Sequence, residues 1–123
     1  MNTQHTLAIN IHVPQELVVA GAAHPDQILK RISDMDTKRV QGYVVDQLSD
    51  SDGGPELIDL HIGKFQYDKE SGTGSFRLHF KVSRRFCCAD STGCNDDYID
   101  FRYVYREEVL YAEGHYFQWT LNN

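Results

Sequence analysis

The sequence predicts an α+β fold: a twisted antiparallel sheet of about five to six strands, with one main helix packed on one face. Three observations carry this expectation. From Ser75 to Ser83 apolar and polar residues alternate with the period of two that a half-buried strand needs. The segment HPDQILKRISDMD carries apolar residues at helical spacing. Aromatic residues crowd the second half, from Phe65 to Trp119, where the strand signal is strongest. A chain of 123 residues fits a single domain spanning positions 1–123. It can bury roughly two thirds of its unfolded surface, so disulfides are not needed for a core.

Taken in order, Leu7, Ile9, Ile11 and Val13 alternate with Ala8, Asn10 and His12 and read as a strand. Pro14 closes it, because proline cannot donate to a ladder. QELVVAGAA fits either a short strand or a helical turn. In the helical segment, Pro25 suits the first position and Asp26 the positive N-terminal end. Ile28, Leu29, Ile32 and Met35 form its apolar stripe, and Asp34 and Asp36 sit unfavourably near its C-terminal end. RVQGYVVDQL reads as a strand, and SDSDGGPE as an acidic, turn-rich loop.

LIDLHIGKFQYD and SFRLHFKVSRRF flank KESGTG and predict a hairpin. In the second arm Phe76, Leu78, Phe80 and Val82 share a face. In the first, Ile58, Leu60 and Ile62 have the opposite parity to Phe65 and Tyr67. One extra residue would bring both sets to one face, so a β-bulge is expected at Gly63 or Lys64. YIDFRYVYREEVLYAEGHYFQWTL is again strand-like. Its turn falls at Arg106–Glu108 or at Glu113–Gly114, and alternation through Val109 and Tyr111 favours the second. The pattern does not fix the strand order.

All three cysteines, Cys87, Cys88 and Cys94, lie in RRFCCADSTGCNDD. Adjacent strand residues point to opposite faces, so Cys87 and Cys88 chelate one zinc poorly, and no second paired motif exists. A disulfide from either to Cys94 fits the loop length. Calcium is disfavoured too: Asp50 and Asp52 fit two EF-hand places, but the earlier place holds Leu48. The stretch reads as an acidic connection between two long strands, with its thiols packed or idle. No metal or other cofactor is expected. The odd cysteine count, the absence of a signal-like leader and the lack of an apolar run near ~18 residues predict a cytoplasmic protein without a membrane span.

Catalytic motifs are missing. No HxxxH helix, P-loop, nucleophile elbow or GxGxxG occurs, and GTG in SGTGSF belongs to a hairpin turn. Glu107 and Glu108 are adjacent and would face apart on a strand. No catalytic residue is assigned. The nearest to a reactive group are His61 and His79 on facing hairpin arms, with Arg77.

Charge points to a protein partner. Eighteen acidic and twelve basic residues give a net charge of −6. Two segments hold acids without bases: Asp46, Asp50, Asp52, Glu56 and Asp59 in the first, and Asp90, Asp96, Asp97 and Asp100 in the second. Brought to one end, they would steer a basic partner. Tyr116 and Trp119 have opposite parity, so one of them should face outward as an anchor. The expected partner-binding set is therefore Asp46, Asp50, Asp52, Glu56, Asp90, Asp96, Asp97, Tyr116 and Trp119.

The leading expectation is a small acidic non-catalytic binding module, of the kind formed by immunity or inhibitor proteins that neutralise a basic toxin or enzyme. Nucleic acid is disfavoured: Arg77, Lys81 and Arg85 share a face, with Arg102 and Arg106 on the matching face further on, but the aromatics needed for base stacking mostly lie on the other face. One alternative is a small-molecule-binding or enzymatic domain with an apolar pocket between sheet and helix, lined by Phe65, Phe80, Tyr103 or Trp119. Another is a homodimer through an exposed edge strand.

Overall fold

The structure is a computed structural model that describes residues 6–48, 54–85 and 92–116. Five strands form one antiparallel sheet: β1 (Leu7–His12), β2 (Glu56–Asp68), β3 (Thr73–Arg85), β4 (Thr92–Arg106) and β5 (Val109–His115). Their spatial order is β1-β5-β4-β3-β2. Three helices connect β1 to β2: α1 (Gln15–Val19), α2 (Pro25–Leu29) and α3 (Asp34–Gln47). The fold class is α+β with one main helix, as the sequence predicts. No described helix is long and apolar enough to cross a membrane.

The helices correct the sequence reading. Ser33 accepts a hydrogen bond from the Asp36 amide at 3.1 Å and starts a new helix inside the segment expected to be continuous. Asp34 and Asp36 therefore occupy a first turn, where the helix dipole favours them, and not a last one. RVQGYVVDQL is not a strand; its residues from Arg39 to Gln47 belong to α3. Val40 and Val44, four apart, are both buried. Burial of that stripe outweighs the weak helix propensity of β-branched residues. QELVVAGAA resolves as α1 followed by a turn.

The hairpin stands as expected, with Phe76, Leu78, Phe80 and Val82 all buried. Its first arm shifts register between Gly63 and Gln66, and Lys64 has φ 51°, so the predicted bulge is present. A second irregularity falls between Ile58 and His61, where Asp59 has φ 55°. No glycine marks that site, so sequence parity did not show it.

The last turn is at Glu107–Glu108, not at Glu113–Gly114. Both glutamates have positive φ, 54° and 63°, the geometry of a two-residue turn normally built from Asn-Gly. Non-glycine residues in this region cost roughly 1 kcal/mol each. Replacing Glu107 and Glu108 with Asn and Gly should raise stability by about 1–2 kcal/mol. A urea midpoint unchanged or lowered relative to the parent chain would contradict this.

The core lies between the inner sheet face and the helices. Phe76 stacks on Phe101 at 5.0 Å and on Phe65 at 6.1 Å. Gly114 sits opposite Phe101, and a Cβ there would overlap the Ile99 and Phe101 side chains. Tyr103 sends its hydroxyl to the Gln66 carbonyl at 2.7 Å, and Tyr105 sends its own to the Val13 carbonyl at 2.6 Å. These bonds satisfy phenols that burial would otherwise penalise.

Candidate functional site

Polar chemistry concentrates on the outer face of the sheet, opposite the helices. Alternation along β3 and β4 places Ser75, Arg77, His79 and Lys81 beside Arg102, Asp100, Tyr98 and Asp96, pair by pair. Arg77 donates from Nε to Asp100 Oδ1 at 2.7 Å and from Nη2 to Oδ2 at 3.1 Å. Its guanidinium also lies 3.8 Å from the Tyr98 ring centroid. Lys81 donates to Asp96 Oδ1 at 2.9 Å. These are the cross-strand ion pairs of an exposed face.

His61 and His79 do meet. Their rings stack at 4.5 Å with planes 6° apart. Burial, then the nearby His61 and Arg77 charges, push the His79 imidazole below its ordinary value of 6.5. The unfolded chain then protonates first as pH falls, so this contribution to stability is present above about 6.5 and is lost below it. His79→Gln should flatten the fall in urea stability between pH 7 and 5. Parallel curves for parent and variant would show that neither burial nor the neighbouring charges depress His79.

Toward the other end of the same face, the twisted sheet encloses an open groove of about 650 Å³. Its floor is Val104 and Tyr111, cross-strand partners that are each 42% exposed. Arg102 and Arg106 flank Val104 along β4, roughly 13 Å apart at the backbone. Asn10 and Ser75 line its sides. The Arg106 guanidinium lies 5.8 Å from the Tyr111 ring centroid. Among the described residues neither Arg102 nor Arg106 forms an ion pair, although Glu113 is the register partner of Arg102. The groove escaped the sequence reading. The available signal was two large apolar residues, Val104 and Tyr111, at positions of outward parity.

The expected partner-binding residues divide into three groups. Asp46 on α3, Glu56 at the start of β2 and Asp96 near the start of β4 are exposed. Asp97 and Tyr116 are buried, 7% and 2% exposed, and meet each other: the Tyr116 hydroxyl donates to Asp97 Oδ2 at 2.5 Å. The Tyr98 amide donates to Asp97 Oδ1 at 2.9 Å. Burial raises the Asp97 carboxyl above its ordinary value of 3.8 despite both hydrogen bonds, and it raises the Tyr116 phenol as well. Asp50, Asp52, Asp90 and Trp119 lie outside the described residues.

The acidic connection is also shorter than expected. Strand β3 runs to Arg85 and β4 begins at Thr92, so Asp96 and Asp97 belong to a strand and not to a loop. Cys87 and Cys88 lie outside the described residues. Among the described residues no group of three or more His, Cys, Asp and Glu side chains is placed to hold a metal ion.

Phe65, Phe80 and Tyr103, expected as pocket lining between sheet and helix, are members of the buried core cluster. Phe65 stacks on Tyr103 at 5.6 Å, so these rings pack against each other. No family model, curated protein or solved structure matches the chain.

Proposed function

We propose that the protein is a small acidic non-catalytic binding module whose acidic end docks a basic protein, in the manner of an inhibitor or immunity protein acting on a toxin or enzyme. The observation that supports this is topological. The described residues flanking 49–53 and 86–91 fall at one end of the sheet, together with Tyr116. Glu56 pairs with Ser83, Ser83 with Cys94 and Lys81 with Asp96. The Leu57 amide donates to Gln41 Oε1 at 3.0 Å, and the Tyr116 amide donates to Tyr43 Oη at 3.2 Å, which ties α3 to the same end. Two acid-rich sequence segments thus enter and leave the fold at one end, beside Arg84 and Arg85 of β3, and this proximity supports an acidic docking edge.

Not every acid there is available. Asp97 is buried, whereas Asp96 keeps an exposed side chain although Lys81 donates to it. The docking set is Asp46, Asp50, Asp52, Glu56, Asp90 and Asp96, all in or beside those segments. The test is affinity capture from lysate of the source organism, washed at low and then high salt. The parent chain is compared with one carrying Asp46→Asn, Asp50→Asn, Asp52→Asn, Glu56→Gln and Asp96→Asn. A basic protein retained only at low salt by the parent, and lost by the variant, is the expected result. Retention indifferent to salt and to all five changes would sink the electrostatic reading.

A further inference from the structure

We infer that the outer-face groove is a second site, separate from the acidic end, that binds a small planar aromatic anion: a ring system bearing a carboxylate or phosphate. The floor of Val104 and Tyr111 is apolar and exposed, so a flat ring laid there removes apolar surface from water. Arg102 and Arg106 rise on either side of it along β4. A guanidinium presents planar paired donors suited to carboxylate and phosphate oxygens. Both lack an ion-pair partner among the described residues, whereas Arg77 and Lys81 on the same face each hold a carboxylate. Two arginines without a carboxylate partner among the described residues thus stand beside the apolar floor.

The groove's dimensions and surroundings favour a small ligand over an extended acidic chain. The lining covers short stretches of four strands, Ala8 and Asn10 on one side to Thr73 and Ser75 on the other. At its turn end the groove is bounded by acids, since Glu107 and Glu108 follow Arg106, while Asp100 at the other end is already paired with Arg77. A long acidic peptide running past the turn end would meet like charge, while a single compact anion between the arginines would not. Glu113 lies inside the groove and opposes an anion there. It also offers an acceptor to a hydroxyl or amino group on the ring.

The experiment is a titration of the isotopically labelled chain with 1-naphthyl phosphate and with 2-naphthoate, followed by backbone amide shifts. Inorganic phosphate, 1-naphthol and an acidic heptapeptide serve as comparison probes. Saturable shifts confined to the amides of 102–106 and 109–113 are expected. Affinity should fall at least tenfold in Arg102→Gln/Arg106→Gln and in Tyr111→Ser, and should rise several-fold in Glu113→Gln. All these side chains line an open surface, so unchanged shifts in β2 and the helices will confirm an intact fold. The stronger of the two naphthyl probes identifies the head group.

The proposal is overturned by any of four results. These are no saturation at millimolar probe, equal effects from phosphate or 1-naphthol alone, parent-like binding by the double arginine variant, or binding of the heptapeptide in preference to both naphthyl anions. The variant altered at Asp46, Asp50, Asp52, Glu56 and Asp96 should bind the naphthyl probes as the parent does. Failure of the acidic-end reading and failure of this one are thereby separable.

Discussion

Phe101→Ala is expected to lower stability by about 3–5 kcal/mol, enough to unfold much of the population of a domain this size. Phe101 is fully buried at the centre of β4. It stacks on Phe76 across β3 and faces the bare backbone of Gly114 across β5. Glycine there leaves no side chain to close over the lost ring, so a cavity should remain and add to the transfer cost. Phe101→Leu should recover part of the loss, since it refills some of that volume. Urea midpoints for the three chains measure this directly. An alanine variant within about 1 kcal/mol of the parent would mean that β4 is not the central packing strand.

The second large effect is expected at Asp97 and Tyr116. Tyr116→Phe removes the hydroxyl that donates to the buried carboxylate and should cost about 1–3 kcal/mol at pH 7. The pH dependence has a definite sign. Burial raises the folded-state value of Asp97 above 3.8, so the folded chain holds this proton more tightly than the unfolded chain. The associated stability is full below about 4 and is lost as pH rises through the raised value. Asp97→Asn keeps an acceptor for Tyr116 without the charge. Compared with the parent, it should gain stability as pH rises from 4 to 7. If the difference between the two chains does not change over that interval, Asp97 is solvated and the burial argument fails.

Period-two patterning exposed the hairpin, its bulge at Gly63–Lys64 and the inward face of β4, because alternation reads directly as burial. The same rule misled at Val40, Val44 and Val45, where β-branched residues on a helix imitate a strand and only the packing partner distinguishes the two. It misled again at Glu107–Glu108, since a tight turn made of two glutamates carries none of the usual Asn-Gly chemistry. The buried Asp97–Tyr116 pair was half visible. Asp97 shares inward parity with Ile99 and Phe101, yet its charge drew it into the surface set. The groove depends on sheet twist and on β5 lying between β1 and β4. Strand order is a long-range property that local periodicity does not encode.

That strand order also schedules the making of the protein. Strands β3, β4 and β5 each pair with the strand just before them and can zip up as hairpins while the chain leaves the ribosome. Strand β1 is made first, but its partner β5 is made last: Leu7 waits for Gly114. Until then Ile9 and Ile11 have no sheet to join, and the earliest of the five strands is the last to find its neighbour. At roughly 5–20 residues per second, the delay lasts several seconds or more. During that interval the nascent chain depends on its helices, or on a chaperone, to keep an apolar strand out of trouble.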